Sequence, residues 1–253
     1  MKALYFAKPL EFRLETPAET LVQGDTFSGQ FQATNRGDAP VNGLDPVVAL
    51  AYAEFAQVKR NPTGAFRVRE RRDLGAGLTL KPGGTFQAGW EFALPSDCPV
   101  TSRSGALFLL YGNRLGEAGG FGMLDLKVSL APVLETFIST VENLFSFEAA
   151  GRKYSDGYTE VRFKPPESFP SLEKLDLLMR YREPEGMELV YQATVKTFAR
   201  EGKTGVKNRQ VTIERTLTPD QALPGGKLPN RNLFRQSIEE TLGEILPLFL
   251  QKR

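Results

Sequence analysis

The strongest constraint on this chain is an alternation of apolar and polar residues with a period of two, interrupted every eight to twelve residues by turn formers. Between Thr26 and Thr34, Phe27, Gly29, Phe31 and Ala33 take one set of positions, and Ser28, Gln30 and Gln32 take the other. A β-strand sends successive side chains to opposite faces, so this pattern buries one face and wets the other. The turn Asn35-Arg36-Gly37-Asp38-Ala39-Pro40 follows. After Leu80-Lys81-Pro82-Gly83-Gly84 the alternation returns, with Phe86, Ala88, Trp90 and Phe92 against Thr85, Gln87, Gly89 and Glu91. Phe66, Val68 and Glu70 alternate with Arg67, Arg69 and Arg71, and Leu124, Leu126, Val128 and Leu130 with Asp125, Lys127 and Ser129. Residues 46–58 and 105–111 are apolar at consecutive positions, as a strand covered on both faces requires. Ala49, Ala51 and Ala53 keep a helix open as the alternative over 46–58. Many short strands with regular turns predict a sandwich.

The period changes at Pro132, a residue suited to a first helical turn. Val133, Leu134, Phe137, Ile138, Val141, Leu144 and Phe145 then fall on one helical face. Strands resume over 158–163. Leu175, Leu177, Met179 and Tyr181 alternate next, and the hairpin turn Glu183-Pro184-Glu185-Gly186 leads into Met187, Leu189, Tyr191, Ala193 and Val195. A charged loop over 200–209 precedes Val211, Ile213 and Leu217. Beyond the turn-rich segment 219–229, Leu233, Phe234, Ile238, Leu242, Ile245 and Leu246 form the apolar stripe of a last helix, which Pro247 ends or kinks.

Composition narrows the function more than the fold. The chain of 253 residues has 32 basic and 30 acidic side chains, a formal charge of +2, which gives no general attraction to nucleic acid or anionic lipid. It has no histidine, the commonest general base and metal ligand at neutral pH. One cysteine, Cys98, excludes an intrachain disulfide and a thiolate zinc site. The polar start and the lack of a run of about 18 apolar residues predict a cytoplasmic protein with no signal peptide and no integral membrane segment. No cofactor is expected.

Short motifs, in order, resemble the bacterial arrestin-like family of sporulation-control proteins, of the stage-zero M type. The most specific is the proline-glycine turn, aromatic strand and exit formed by Leu80-Lys81-Pro82-Gly83-Gly84-Thr85-Phe86, then Trp90, Leu94-Pro95 and Pro99-Val100-Thr101. Leu21-Val22-Gln23-Gly24-Asp25 looks like the family's early strand entry, the helix from Pro132 to Phe145 sits where the family has its interdomain helix, and Leu172-Glu173-Lys174-Leu175 looks like a strand of its second domain. The sequence departs from the pattern at its N-terminus, over 116–122 and in the final helix. The resemblance implies an all-β chain with two arrestin-like antiparallel β-sandwich domains, an interdomain amphipathic helix and a C-terminal helix. The expected division is 1–130 for the first sandwich, 131–228 for the linker helix and second sandwich, and 229–253 for the C-terminal helix. It also implies a regulatory or scaffolding role, with protein partners and no catalysis.

Among candidate sites, Arg67, Arg69, Arg71 and Arg72 form the densest charge feature, with Lys59 and Arg60 nearby. On a regular strand Arg67, Arg69 and Arg71 share one face, where guanidiniums can hold phosphate or carboxylate groups, or simply keep an edge strand solvated. Gly202-Lys203-Thr204 lacks the upstream glycine of a phosphate-binding loop, since Thr197 stands there. The C-terminal helix packs on its own domain or docks on a partner, a second copy included. Glu239, Glu240 and Glu244 on its polar face argue against anionic lipid. Cys98 has no histidine to activate it. The alternative function is a carboxylate-dependent hydrolytic or carbohydrate-active sandwich using two of Glu91, Asp97 and Asp125, with Trp90, Tyr111 and Phe121 as aromatic contacts.

Overall fold

The computed structural model describes residues 1–115, 120–198, 206–226 and 228–246. The chain forms two compact units, one ending at Ser129 and the other beginning at Leu130. The first holds β1 (Lys2–Ala7), β2 (Leu10–Glu15), β3 (Leu21–Val22), β4 (Thr26–Asn35), β5 (Val41–Leu44) and β6 (Pro46–Glu54). After α1 (Phe55–Arg60) come β7 (Arg67–Asp73), β8 (Leu78–Leu80), β9 (Thr85–Ala93), β10 (Gly105–Asn113), β11 (Gly122–Leu126) and β12 (Val128–Ser129). The open alternative over 46–58 resolves into both forms, strand to Glu54 and helix from Phe55.

Two antiparallel sheets, ordered β1-β2-β4-β9 and β11-β10-β6-β7, face each other as a sandwich. Leu10, Phe12 and Leu14 of β2, Phe27 and Phe31 of β4, and Trp90 and Phe92 of β9 meet Val48, Leu50, Leu107, Leu109 and Tyr111 of the other sheet in one core. Each fully buried Leu or Phe contributes about 1.5–3 kcal/mol relative to exposure. Gly29 is required here: a Cβ on it would lie 2.0 Å from the Glu15 carbonyl oxygen and 2.3 Å from the Trp90 ring. The bare position lets the indole lie across β4. The minor pairs are β5 with β8, and β3 with β12, which run parallel with Leu21 opposite Val128.

The continuous apolar runs of β6 and β10 have a local cause. Their outer positions Ala51, Ala53, Ala106, Phe108 and Leu110 form a second cluster, packed by Phe55 and Val58 of α1 and by Phe66 and Phe121. The Phe108 ring sits 6.0 Å from Phe55 and 5.3 Å from Phe66, edge to face. Both faces of β6 and β10 are therefore dry, and period two disappears.

The second unit holds α2 (Pro132–Phe145), β13 (Glu148–Ser155), β14 (Tyr158–Lys164), β15 (Leu172–Arg182), β16 (Gly186–Phe198), β17 (Val206–Leu217), α3 (Pro219–Ala222) and α4 (Arg231–Ile245). Its strands make one antiparallel meander in chain order. Val161, Phe163, Leu175, Leu177, Met179, Leu189, Tyr191, Ala193 and Val195 are buried. The layer against this apolar face comes from α2 and α4, whose rings Phe137 and Phe234 lie 5.1 Å apart. The apolar stripe expected for α4 is buried at Phe234, Ile238, Leu242 and Ile245, so the helix spends it within its own unit. In α2 the expected stripe is buried from Val133 to Val141, whereas Leu144 is 58% exposed. The loop tip with Gly202-Lys203-Thr204, and Pro247, lie outside the described residues.

Candidate interaction edge

The arginines singled out in the sequence all lie on β7, and β7 closes one side of its sheet, pairing among the described residues with β6 alone. Six of its seven residues are exposed. β6 presents a dry apolar surface, so the charged strand is tolerated only because it sits at the rim, where its heads reach water.

The register overturns the expectation that Arg67, Arg69 and Arg71 share a face. Tyr52 lies opposite Arg67, Ala51 opposite Val68 and Leu50 opposite Glu70, with a bulge between Leu50 and Ala51. Arg69 is the additional residue of that bulge, and the parity of the strand changes across it. Arg67, Glu70 and Arg72 oppose Tyr52, Leu50 and Val48, on the side of the sandwich core. Val68, Arg71 and Asp73 oppose Ala51, Ala49 and Val47, on the outer side.

The four guanidiniums have different surroundings. Arg72 lies 5.3 Å above the Phe92 ring, donates from Nε to the Glu91 carbonyl oxygen at 3.3 Å and pairs with Glu70. It thereby ties the rim of one sheet to β9 of the other and occupies a carbonyl there. Arg71 donates from Nε to Asp73 at 2.7 Å. Both ion pairs are exposed and worth about 0–1 kcal/mol. Arg67 lines a cleft of about 190 Å³ with Tyr52, Glu54, Gln57 and Gly64. Arg69 lies close enough to the Cys98 thiol for its charge to act there. Lys59 and Arg60 are exposed in the last turn of α1. Val68 is a large apolar side chain 54% exposed in the middle of this charge.

The other candidates separate from one another. Glu91 lies on the outer face of its sheet beside Ser28, Asp125 on the outer face of the opposite sheet beside Phe108, and Asp97 in the turn closed by the Cys98 amide and the Pro95 carbonyl. The two strand carboxylates thus point away from the sandwich on opposite sides. Among the described residues no group of three or more histidine, cysteine or carboxylate side chains could hold a metal. Cys98 is fully buried, and burial pushes its thiol up to about 12. Its carbonyl accepts a 2.6 Å hydrogen bond from the Gln23 side-chain amide, a structural tie.

Sequence reasoning missed a charged network on the outer face of the second unit's sheet. Arg180 donates to Glu188 at 2.6 Å, Tyr158 donates to the same carboxylate at 2.8 Å, and the Arg180 guanidinium lies 4.3 Å above the Tyr158 ring. The Arg180 hydrogen bond is the main reason that the Glu188 carboxyl is held below its ordinary value of 4.5. These residues come from three strands, and only the register joins them.

No protein-family model matches the sequence, and no curated protein does. Among solved structures, the sporulation control protein Spo0M from Bacillus subtilis shares the fold: the TM-score is 0.65 at 14% identity, over 93% of this chain and 98% of that one. The fold read from the turn motifs is thus borne out in its antiparallel sheets, the sandwich of the first unit and the C-terminal helix, while the second unit is one five-stranded sheet layered by α2 and α4 and not a second sandwich. An alkylpurine DNA glycosylase from Pseudomonas fluorescens (TM-score 0.31, 17% identity, 47% of this chain and 30% of that one) is matched over less than half the chain. So is a β-glucosidase from Listeria innocua (TM-score 0.29, 12% identity, 47% and 16%). Neither bears on function.

Proposed function

We propose that this chain is a non-catalytic regulatory protein of the cytosol that binds other proteins through the β7 rim of its first unit. One observation carries the reading: β7 is a seven-residue strand, paired on one side only among the described residues, whose exposed side chains include four arginines and a valine. An edge strand with open backbone groups is a ready template for a partner's strand, and it needs no catalytic group. Arg67, Arg69, Arg71 and Arg72 are the residues assigned to binding. The fold shared with a protein described as controlling sporulation supports a regulatory role.

Photo-cross-linking tests this reading. A photoreactive benzoyl-phenylalanine at position 68 is expected to give discrete higher-mass adducts in cells, while the same group at position 144, exposed on α2, gives none. Absence of adducts at position 68 in a folded protein would remove β7 as the binding surface.

A further inference from the structure

Among the strand edges of the first unit, β7 differs in both backbone and charge. β1, at one end of the first sheet, packs beside β11, the far end of the sheet that holds β7. β9 has the Glu91 carbonyl occupied by Arg72. β7 pairs with β6 and carries four guanidiniums against two carboxylates within seven residues. At about 3.3 Å per residue it offers a template of roughly 20 Å, enough for a partner strand of about six residues.

The charges determine which strand fits. A second copy of β7 would bring guanidiniums against guanidiniums, and like charges directly opposite destabilise a strand pair. A lysine-rich segment meets the same penalty. Glutamate or aspartate opposite Arg67 falls on one face of the incoming strand and one opposite Arg71, three positions along, falls on the other, while an apolar residue next to the first meets Val68. Arg71 and Arg72 are already tethered by Asp73 and Glu70. A tethered guanidinium is held near one geometry, so less side-chain freedom remains to be lost when a carboxylate arrives. Arg69, added by the bulge, raises the positive charge without using a pairing position.

We infer that β7 captures an extended acidic segment of another protein as an added strand, with carboxylates three residues apart facing Arg67 and Arg71 and an apolar residue facing Val68. The inference rests on the reading of the chain as a binding protein and adds the chemistry of the partner. Selectivity comes as much from rejecting basic and like strands as from attracting acidic ones.

The test uses the full chain and labelled peptides of about seven residues, followed by fluorescence anisotropy. One peptide carries two glutamates three residues apart with a valine next to the first, a second replaces glutamate with lysine, and a third is the glutamate peptide N-methylated at alternate amides. The expected result is binding of the first peptide alone, weakened about tenfold or more when salt rises well past the physiological range. Arg67→Ser with Arg69→Ser weakens it, and Arg67→Glu with Arg69→Glu transfers the preference to the lysine peptide. That transfer cannot come from misfolding. Equal binding of the N-methylated peptide would overturn strand addition, and equal binding of the lysine peptide would overturn the charge selection. Adducts at position 68 with no glutamate-peptide binding would overturn the acidic strand while sparing the binding-protein reading. Absence of both would overturn both.

Discussion

Arg72 and Cys98 show how little of a residue's role follows from its type. Arg72 belongs to a run that reads as surface charge, yet its guanidinium covers the Phe92 ring and caps a carbonyl of β9. An Arg72→Ala change therefore removes packing as well as charge. Cys98 reads as a lone thiol in a proline-flanked turn, and its side chain is fully enclosed. With the thiol pushed up to about 12, thiolate is scarce at neutral and mildly alkaline pH. Iodoacetamide at about pH 8 is expected to leave the native protein unlabelled and to label it stoichiometrically in denaturant, read by intact mass. Fast labelling of the folded chain would show that the turn opens. The identity of the arginines was legible in the sequence, but their geometry was not. Period two assumes one residue per pairing position, and the bulge at Arg69 breaks that assumption without leaving a glycine or proline to mark it.

Elements were legible where a single face is buried. The alternation of Phe27 to Ala33 and of Phe86 to Phe92 predicts β4 and β9, because one side of each strand meets the core and the other meets water. The stripe of α4 was equally clear. What covers a strand's apolar side was not, because Leu175, Leu177 and Met179 look the same under a sheet or under helices. In the second unit helices supply that cover, and Phe234 is central to it, fully buried against Phe137. Phe234→Ala is expected to destabilise this unit by about 3–5 kcal/mol, the usual cost of emptying an aromatic site in a closed core. The denaturant midpoint measures it. A loss below about 1 kcal/mol would mean that the helix layer collapses into the space and does not hold the sheet. Tyr191, on the same buried face, is pushed up by burial despite the nearby Ser237 and Thr241 hydroxyls.

At the scale of the molecule, the period changes at Pro132, close to where the second compact unit begins, since a helical stripe cannot continue an alternating strand. Pairing between distant segments was hidden, because nothing local announces it. The parallel pairing of β3 with β12 sets Leu21 beside Val128, so the first unit is fastened by segments far apart in the chain. That fastening sets a schedule for synthesis. At about 5–20 residues per second, Leu21 leaves the ribosome roughly 5–20 s before Val128 can reach it, and loop closure has to wait. For most of that interval Leu10, Phe12, Phe27 and Phe31 lack Leu107, Leu109 and Tyr111 of β10, which complete the opposite side of their core. Nascent chains stalled short of residue 128 are expected to be cut rapidly by protease, and longer ones to be protected. Early protection would show that the first sheets close without the late strand. Until β12 emerges, this unit is exposed to the traffic of the ribosome exit, and the cell's holding chaperones are its natural first contacts.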